Sequence, residues 1–147
     1  MARKAVKSST LRNVFVVVLI VGIESVVAAP RINDAIKDYR LNSAATEAWQ
    51  DIHRARIMAI KGKQTIRVVF DDSSYRIIRA ATGAVVLSRH LADEYPGISI
   101  SVTESKEEII FDRTGAAEGG SLAVEIRGPT GKRSFTILAT GLISGLS

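Results

Sequence analysis

The 147-residue chain contains no cysteine. That excludes a disulfide framework and any thiolate metal site, so the fold must hold together by packing alone. Histidine is nearly absent too: His53 and His90 are the two in the chain, and neither stands in a local pattern that marks a nucleophile or a general base. His53 sits within a helical stretch beside Ile52 as a boundary residue, and His90 falls in an expected loop. No nucleotide-binding motif occurs, and no enzyme activity and no cofactor are expected. Asp71, Asp72 and Asp112 could be imagined around calcium, but their spacing lacks the oxygen-rich loop of a dedicated site; turn aspartates account for them and no metal is expected. A strong charge bias is also missing once the chain is divided. Of 20 Lys and Arg against 15 Asp and Glu, residues 1–30 hold four basic and one acidic, leaving 16 against 14 beyond them. The basic excess is therefore mostly local to the beginning of the chain.

What the chain does have is a long apolar run near its beginning. Arg3, Lys4, Lys7 and Arg12 precede the unbroken stretch from Val14 to Ile23, and Pro30 follows. Such a run is unsuited to water, and the basic cluster before it marks the cytoplasmic side, which sends the rest of the chain across the membrane. A helix over residues 11–29 rises roughly 28 Å at about 1.5 Å per residue, against a hydrocarbon core of about 30 Å. Two other readings use the same residues: a secretory signal peptide, for which Val27, Ala28 and Ala29 offer small side chains at a cleavage site, and a buried core helix, because the purely apolar stretch is short. Glu24 is unusual in either. Its functional reading within a span is contact with a partner helix, and its ordinary one is a protonated or snorkelling side chain.

Past Pro30 the pattern is amphipathic. Leu41, Ala45, Ala48, Ile52, Ala55 and Ala59 recur at steps of three and four, while Asp38, Asn42, Glu47, Asp51 and Arg54 fall largely elsewhere. This predicts a helix to about Lys61, kinked near Pro30, which lacks an amide hydrogen. Gly62 is expected to end it, with Lys61 and Lys63 placed against its negative end. The small alanines suggest close packing on a sheet, with Trp49 and Tyr39 as large anchors. From Gln64 the period becomes two. Ile66, Val68 and Phe70, then Ile98, Ile100 and Val102, then Leu122, Val124 and Ile126 alternate with smaller or polar residues. Further strands are expected at residues 75–79, 84–88, 107–112 and 134–139. Turn residues separate them at Asp71 to Ser74, Thr82-Gly83, Pro96-Gly97, Gly119-Gly120 and Pro129 to Gly131. The short spacings imply antiparallel hairpins, and the length after residue 30 suits one compact domain.

These residues carry a resemblance. The stretch from Val16 to Pro30, VVVLIVGIESVVAAP, resembles the type IV pilin N-terminal segment with Gly22 and Pro30 in register. In that register Lys7-Ser8-Ser9-Thr10-Leu11 falls on the prepilin peptidase motif, which places cleavage between Ser8 and Ser9. The chain departs from the motif at two positions. Ser8 stands where the family has glycine, and Asn13 stands where it has the glutamate that meets a neighbouring subunit's amine. Residues 44–69, with Ala55-Arg56 and Ala59-Ile60 before Gly62, are similar to the helix-to-strand junction of the H-type minor pseudopilins of type II secretion. Phe111-Asp112-Arg113-Thr114-Gly115 followed by Gly119-Gly120 resembles their Phe-Asp-x-x-Gly turn.

The resemblance implies an α+β pilin-like fold, a long N-terminal helix packed on an antiparallel sheet. It also implies a basic leader at residues 1–8, a membrane helix at 9–30 and a periplasmic domain at 31–147, with its helix at about 31–61 and its sheet at about 64–147. The implied role is that of a minor pseudopilin acting by assembly in protein export. Its partners would be other pilin-like subunits of the filament, the inner membrane and a prepilin peptidase. Two alternatives stay open: a minor type IV pilin in DNA uptake, and an uncleaved inner-membrane domain outside any filament. Relatives in DNA uptake carry a Gly-Arg-x-Arg motif near the C-terminal end, where this chain has Gly141-Leu142-Ile143-Ser144. The basic residues Arg54, Arg56, Lys61, Lys63 and Arg67 near the helix end, and Lys132 and Arg133 in a turn, are then better explained as a solvated face and helix-dipole complement than as a phosphate-contacting patch; DNA is not an expected partner.

Overall fold

The computed structural model describes residues 8–103 and 107–147, with side chains from residue 31 onward. It divides into two compact units between Ile36 and Lys37. In the first the backbone is helical from Ser8, the start of helix α1 (Ser8–Gly62). The helix passes through Pro30 without a break. Among the residues whose side chains are described, no helix is long and apolar enough to cross a membrane; the run from Val14 to Ile23 lies outside that set.

The second unit carries the rest of α1, a short helix α2 (Leu91–Glu94), and strands β1 (Ile66–Asp71), β2 (Ser74–Arg79), β3 (Val85–His90), β4 (Ser99–Val102), β5 (Glu108–Phe111), β6 (Ala117–Glu118), β7 (Leu122–Gly128) and β8 (Gly131–Ile137). Every pairing is antiparallel. The expected helix on antiparallel sheet is present, with the strands divided into two sheets ordered β3-β2-β1-β5-β6 and β4-β7-β8. They meet where the Ile100 amide donates to the Asp72 carbonyl at 3.0 Å and the Ala117 amide to the Ala139 carbonyl at 3.0 Å. The split has a local cause. Strand β4 begins after a turn at Pro96 and Gly97, where Gly97 takes a φ of 85°, and it pairs with β7 instead of extending the first sheet.

The strand alternation places one face inward as period two requires. Ile66, Val68 and Phe70 of β1, Leu122, Val124 and Ile126 of β7, and Phe135 and Ile137 of β8 are all buried. They share one core with Leu41, Ala44, Ala45, Ala48, Ile52, Ala55 and Ala59 of α1. Alanines let the helix approach the sheets closely, and the few large side chains bring most of the apolar gain. Burying Leu41 and Ile52 completely contributes roughly 1.5–3 kcal/mol each.

Four expectations for this region are corrected. Tyr39 is 71 % exposed and anchors nothing in the core. Asp51, expected on the polar face, is 3 % exposed, because it lies three residues after Ala48 and four before Ala55, at the edge of the apolar stripe. His90 ends β3 and precedes α2 instead of lying in a loop. Gly62 is still helical, and the left-handed residue is Lys63, with φ 47°. The Gln64 amide donates to Ala59 at 3.1 Å and the Lys63 amide to Ile60 at 3.3 Å. That pair of bonds is the Schellman arrangement with Lys63 in the position glycine usually holds.

Candidate functional site

The residues singled out near the beginning of the chain all lie on α1. Ser8 and Ser9 are its first two residues, and Asn13, Glu24 and Pro30 follow within the same helical segment. Fifteen residues separate Ser9 from Glu24, about 22 Å of helix rise, too far for Glu24 to act at the Ser8-Ser9 junction. Their side chains lie outside the described residues.

Beyond residue 37 both flanks of α1 are tied to the sheets by polar contacts. On one flank Asp51 is the centre. Its carboxylate accepts from the Tyr75 hydroxyl of β2 at 2.8 Å and from Arg89 Nε of β3 at 3.2 Å, and Arg54 approaches it at 3.6 Å. Arg89 also reaches Glu47 at 2.7 Å and Glu94 at 3.2 Å, while the Tyr95 hydroxyl donates to Glu47 at 3.0 Å. One guanidinium thus links two turns of α1 to α2, and its fork geometry suits several carboxylates at once. Burial pulls the Arg89 pKa down, but the hydrogen bonds to Asp51 and Glu94 and the charge of Glu47 outweigh it and hold the group above its ordinary value. Burial, then the charge of Asp51 and its hydrogen bond, push the Tyr75 phenol well above the usual tyrosine range. Tyr95 is raised in the same direction, by burial and by its bond to Glu47.

The other flank uses backbone acceptors. Arg56 Nε donates to the Gly115 carbonyl at 3.0 Å, and the Trp49 indole donates to the Ser144 carbonyl at 2.9 Å. Trp49 stacks on His53 with ring centroids 5.5 Å apart, so it is a half-buried tie to the C-terminal segment. His53 Nδ1 is buried without a hydrogen-bond partner among the described residues. Further along, Arg133 Nε of β8 donates to Asn42 at 2.8 Å, with Asp38 at 3.8 Å. The segment after β8 folds back along this flank. Ile137 bridges Ile143, the Ser144 amide donates to Thr136 at 2.8 Å, and Ser134 and Ser147 exchange amide bonds of 2.9 and 3.0 Å.

Two glycines make this return possible. Gly115 and Gly141 have φ of 82° and 78°, conformations that suit glycine. A Cβ on Gly141 would lie 1.6 Å from the Gly115 carbonyl oxygen, and one on Gly115 would lie 2.6 Å from Ile60 Cδ1. The turn leading to Gly115 is organised by Asp112. Its Oδ1 accepts from the Thr114 hydroxyl at 2.6 Å, the Thr114 amide at 2.7 Å and the Ala116 amide at 3.0 Å. These bonds, the Thr114 hydroxyl foremost, hold the Asp112 carboxyl below its ordinary pKa.

The basic residues near the helix end are drawn in different directions. Arg54 faces Asp51, Arg67 pairs with Glu108 at 3.4 Å, and Arg56 is bound to a carbonyl. In the turn of the second sheet, Lys132 meets Glu125 at 2.8 Å and Arg127 joins the same carboxylate. Those contacts hold Glu125 below its ordinary pKa, Lys132 first. Asp71 and Asp72 are at a turn, where Asp71 Oδ1 accepts from the Asp72 amide at 2.9 Å. They border an open cleft of about 360 Å³ with Phe70, Ile100 and Glu107. Among the described residues no three histidines or carboxylates gather as a metal site. The Asp51 cluster and the C-terminal return were both missed in the sequence. Asp51 left a signal in its spacing from Ala48 and Ala55; the carbonyl acceptors left none.

Residues 44–141 match the profile of a family described as Type II transport protein GspH. No curated protein sequence matches the chain. Among solved structures, the type IV minor pilin FimU of Pseudomonas aeruginosa is similar, with 19 % identity, a TM-score of 0.63, and coverage of 74 % of this chain and 89 % of that one. The minor pseudopilin EpsH from the type 2 secretion system of Vibrio cholerae has 14 % identity and a TM-score of 0.60, covering 74 % and 96 %. GspH of E. coli has 14 % identity and a TM-score of 0.51, covering 74 % and 88 %.

Proposed function

The chain belongs to the GspH family of type II transport proteins, minor pseudopilins and minor pilins of pilin-like fold, and from that premise we propose that it is a minor pseudopilin of a type II secretion pseudopilus. The observation that carries the reading is the family match over residues 44–141. That span includes the sheet-facing part of α1, the Asp112 turn and the glycine that seats the C-terminal return. Its work is assembly: the apolar part of α1 leaves the bilayer to pack among the helices of other pilin-like subunits, and the sheets face the periplasm. Residues 1–8 are the cytoplasmic leader removed by a prepilin peptidase, Ser9 becomes the methylated first residue, and residues 9–30 hold the protein in the inner membrane. Glu24 contacts a partner helix within the membrane. Asn13 accepts a hydrogen bond where relatives place a charge, so docking there is weaker, given how strongly charge pairs act at low dielectric.

A second reading is favoured by one observation, the likeness to the type IV minor pilin FimU. On that reading the chain serves a type IV pilus. Against its DNA-uptake form, residues 141–144 carry no arginine, and Arg54 and Arg67 face carboxylates.

The test is the intact mass and N-terminal peptide of the membrane-bound protein, expressed with and without its host's prepilin peptidase. A peptidase-dependent start at a methylated Ser9, together with co-purification of other pseudopilins, is expected. A start at Met1 in both leaves an anchored domain outside any filament. A start next to Pro30 makes the segment a signal peptide.

A further inference from the structure

The end of α1 carries a surface that the intramolecular contacts leave open. Arg56, Ile57, Ile60 and Lys61 follow one another at the C-terminal end of the helix. Ile60 lies against Gly115, and Gly115 against Gly141 and Arg56, which brings the Asp112 turn and Leu142 to the same place. Ile57 and Ile60 are exposed, and Leu142 is 55 % exposed. Ile57 and Ile60 lie three residues apart on one helix face, and Leu142 follows Gly141 in the chain; exposed aliphatics grouped in this way and bordered by charge mark contact surfaces more often than scattered single residues do.

Apart from Asp112, the charged residues argued to surround it are basic. Arg56 is half-buried and commits its Nε to the Gly115 carbonyl. Lys61, Lys63 and Arg113 are exposed. Among the described residues none of these four has a carboxylate partner, in contrast to Arg54, Arg67, Arg89, Arg127, Lys132 and Arg133. The one nearby carboxylate in the turn, Asp112, has Oδ1 occupied by three donors of its own loop.

We propose that this surface, Ile57, Ile60 and Leu142 set among Arg56, Lys61 and Arg113, docks a segment of another pilin-like subunit that presents a carboxylate beside aliphatic side chains. The proposal rests on the assembly role inferred above and adds where on the domain a partner binds and with what chemistry. Aliphatic side chains flanked by unpaired cations are complementary to such a segment, with the apolar pair excluding water and the charge fixing register. Nucleic acid is the less suitable occupant. Phosphates would leave the aliphatics uncovered, and Trp49 on the same helix already stacks on His53 and is tied to Ser144, which leaves it poorly placed for base stacking.

The experiment uses the full chain in the membranes of its own host. A photo-activated benzoylphenylalanine is placed at Leu142 and, in a second strain, at Val86, an exposed position on β3. The expected result is a cross-link from Leu142 to a pilin-like subunit, through a peptide containing Asp or Glu. Combining Lys61→Glu with Arg113→Glu, at two exposed positions with no described structural contact, should lower its yield at least about tenfold, because like charges facing each other across an interface cost ~1.4 kcal/mol or more. Introducing Lys at the partner's carboxylate should restore it. A cross-link from Val86 with none from Leu142 overturns the surface and leaves the assembly role standing. No cross-link from either position overturns the surface, and co-purification of other pilin-like subunits from the same membranes decides whether the assembly role stands. A Leu142 yield unchanged by charge reversal overturns the electrostatic part. Retardation of duplex DNA by the purified protein, lost in the charge-reversed variant and without any subunit cross-link, replaces the protein partner with nucleic acid.

Discussion

Replacing Asp51 by alanine removes the acceptor shared by Tyr75 and Arg89. The Tyr75 hydroxyl is then buried without a partner, which costs about 1–3 kcal/mol. Arg89 loses its most buried contact as well. Stripping one member from a fully buried ion pair costs about 3–5 kcal/mol, but the Arg89 side chain is 27 % exposed and keeps Glu47 and Glu94, so solvent and the remaining carboxylates take up part of that loss. The expected destabilisation is about 2–4 kcal/mol, or roughly 8–16 °C in Tm at about 4 °C per kcal/mol for a domain of this size. Tyr75→Phe is the control. It removes one donor and leaves Asp51 bonded to Arg89, so about 1 kcal/mol is lost.

The double variant then separates a network from two independent contacts. With Asp51 already absent, removing the Tyr75 hydroxyl should cost almost nothing or bring a gain, giving a coupling of about 1–2 kcal/mol. The assay is thermal unfolding of the full chain in detergent, followed by the fluorescence of Trp49, the single tryptophan, whose indole is tied to the C-terminal segment. Asp51→Ala within about 2 °C of the parent, or strictly additive losses in the double variant, would refute the cluster as a stabilising unit.

Three further outcomes are expected. Because burial and the charge of Asp51 raise the Tyr75 pKa, the neutral phenol's contribution is complete below the unfolded value near 10 and is lost as pH climbs toward the folded one; Tyr75→Phe should flatten the alkaline limb of a stability–pH curve, and an unchanged limb counts against this. The Asp112 carboxyl is held below its ordinary pKa, Thr114 hydroxyl first, so its contribution is present above the unfolded carboxylate range and fades as pH falls through the folded value. The protection of the Thr114 and Ala116 amides against exchange, after correction for the intrinsic pH dependence of exchange, should fall on acidification in the parent, but not in Asp112→Asn. Gly141→Ala should cost about 3 kcal/mol or more, combining a positive φ with a collision against the Gly115 carbonyl. Gly120→Ala, also at positive φ but in open space, should cost about 1 kcal/mol. Urea midpoints compare the two, and equal losses would mean that the close approach of residues 115 and 141 is not a structural constraint.

Much of the fold was legible because its elements obey a local period. The stripe from Leu41 to Ala59 and the alternation in β1, β4 and β7 depend on residues a few positions apart, and the buried faces follow them. Strand β6, with two residues, is too short to show a period, and the partition into two sheets depends on which strands meet, which no single strand records. Lys63 took the left-handed position next to a glycine because the Schellman bonds fall at Ala59 and Ile60, one residue further on than composition alone indicated.

The polar ties on the two flanks of α1 differ in what they leave in a sequence. On the Asp51 side every partner is a side chain, so each position is constrained in kind, and the clue is a carboxylate at a spacing that belongs to the apolar stripe. Across the helix, apart from the Asn42 side chain that accepts from Arg133, the acceptors are the carbonyls of Gly115 and Ser144, which any residue supplies, so those bonds carry no signature. What constrains that flank is space, and space appears in the sequence as glycine. The Phe-Asp-x-x-Gly turn was visible through its resemblance to that of the H-type minor pseudopilins, whereas Trp49 looked like an anchor of unknown direction. It follows that Ser144 can change identity and keep its carbonyl bond to Trp49, losing the bond its hydroxyl accepts from the Thr136 amide, while Gly141 cannot change, and that Asp51 tolerates no residue lacking both its charge and its acceptor. The two flanks should therefore fail under opposite kinds of substitution, chemical at Asp51 and steric at Gly141.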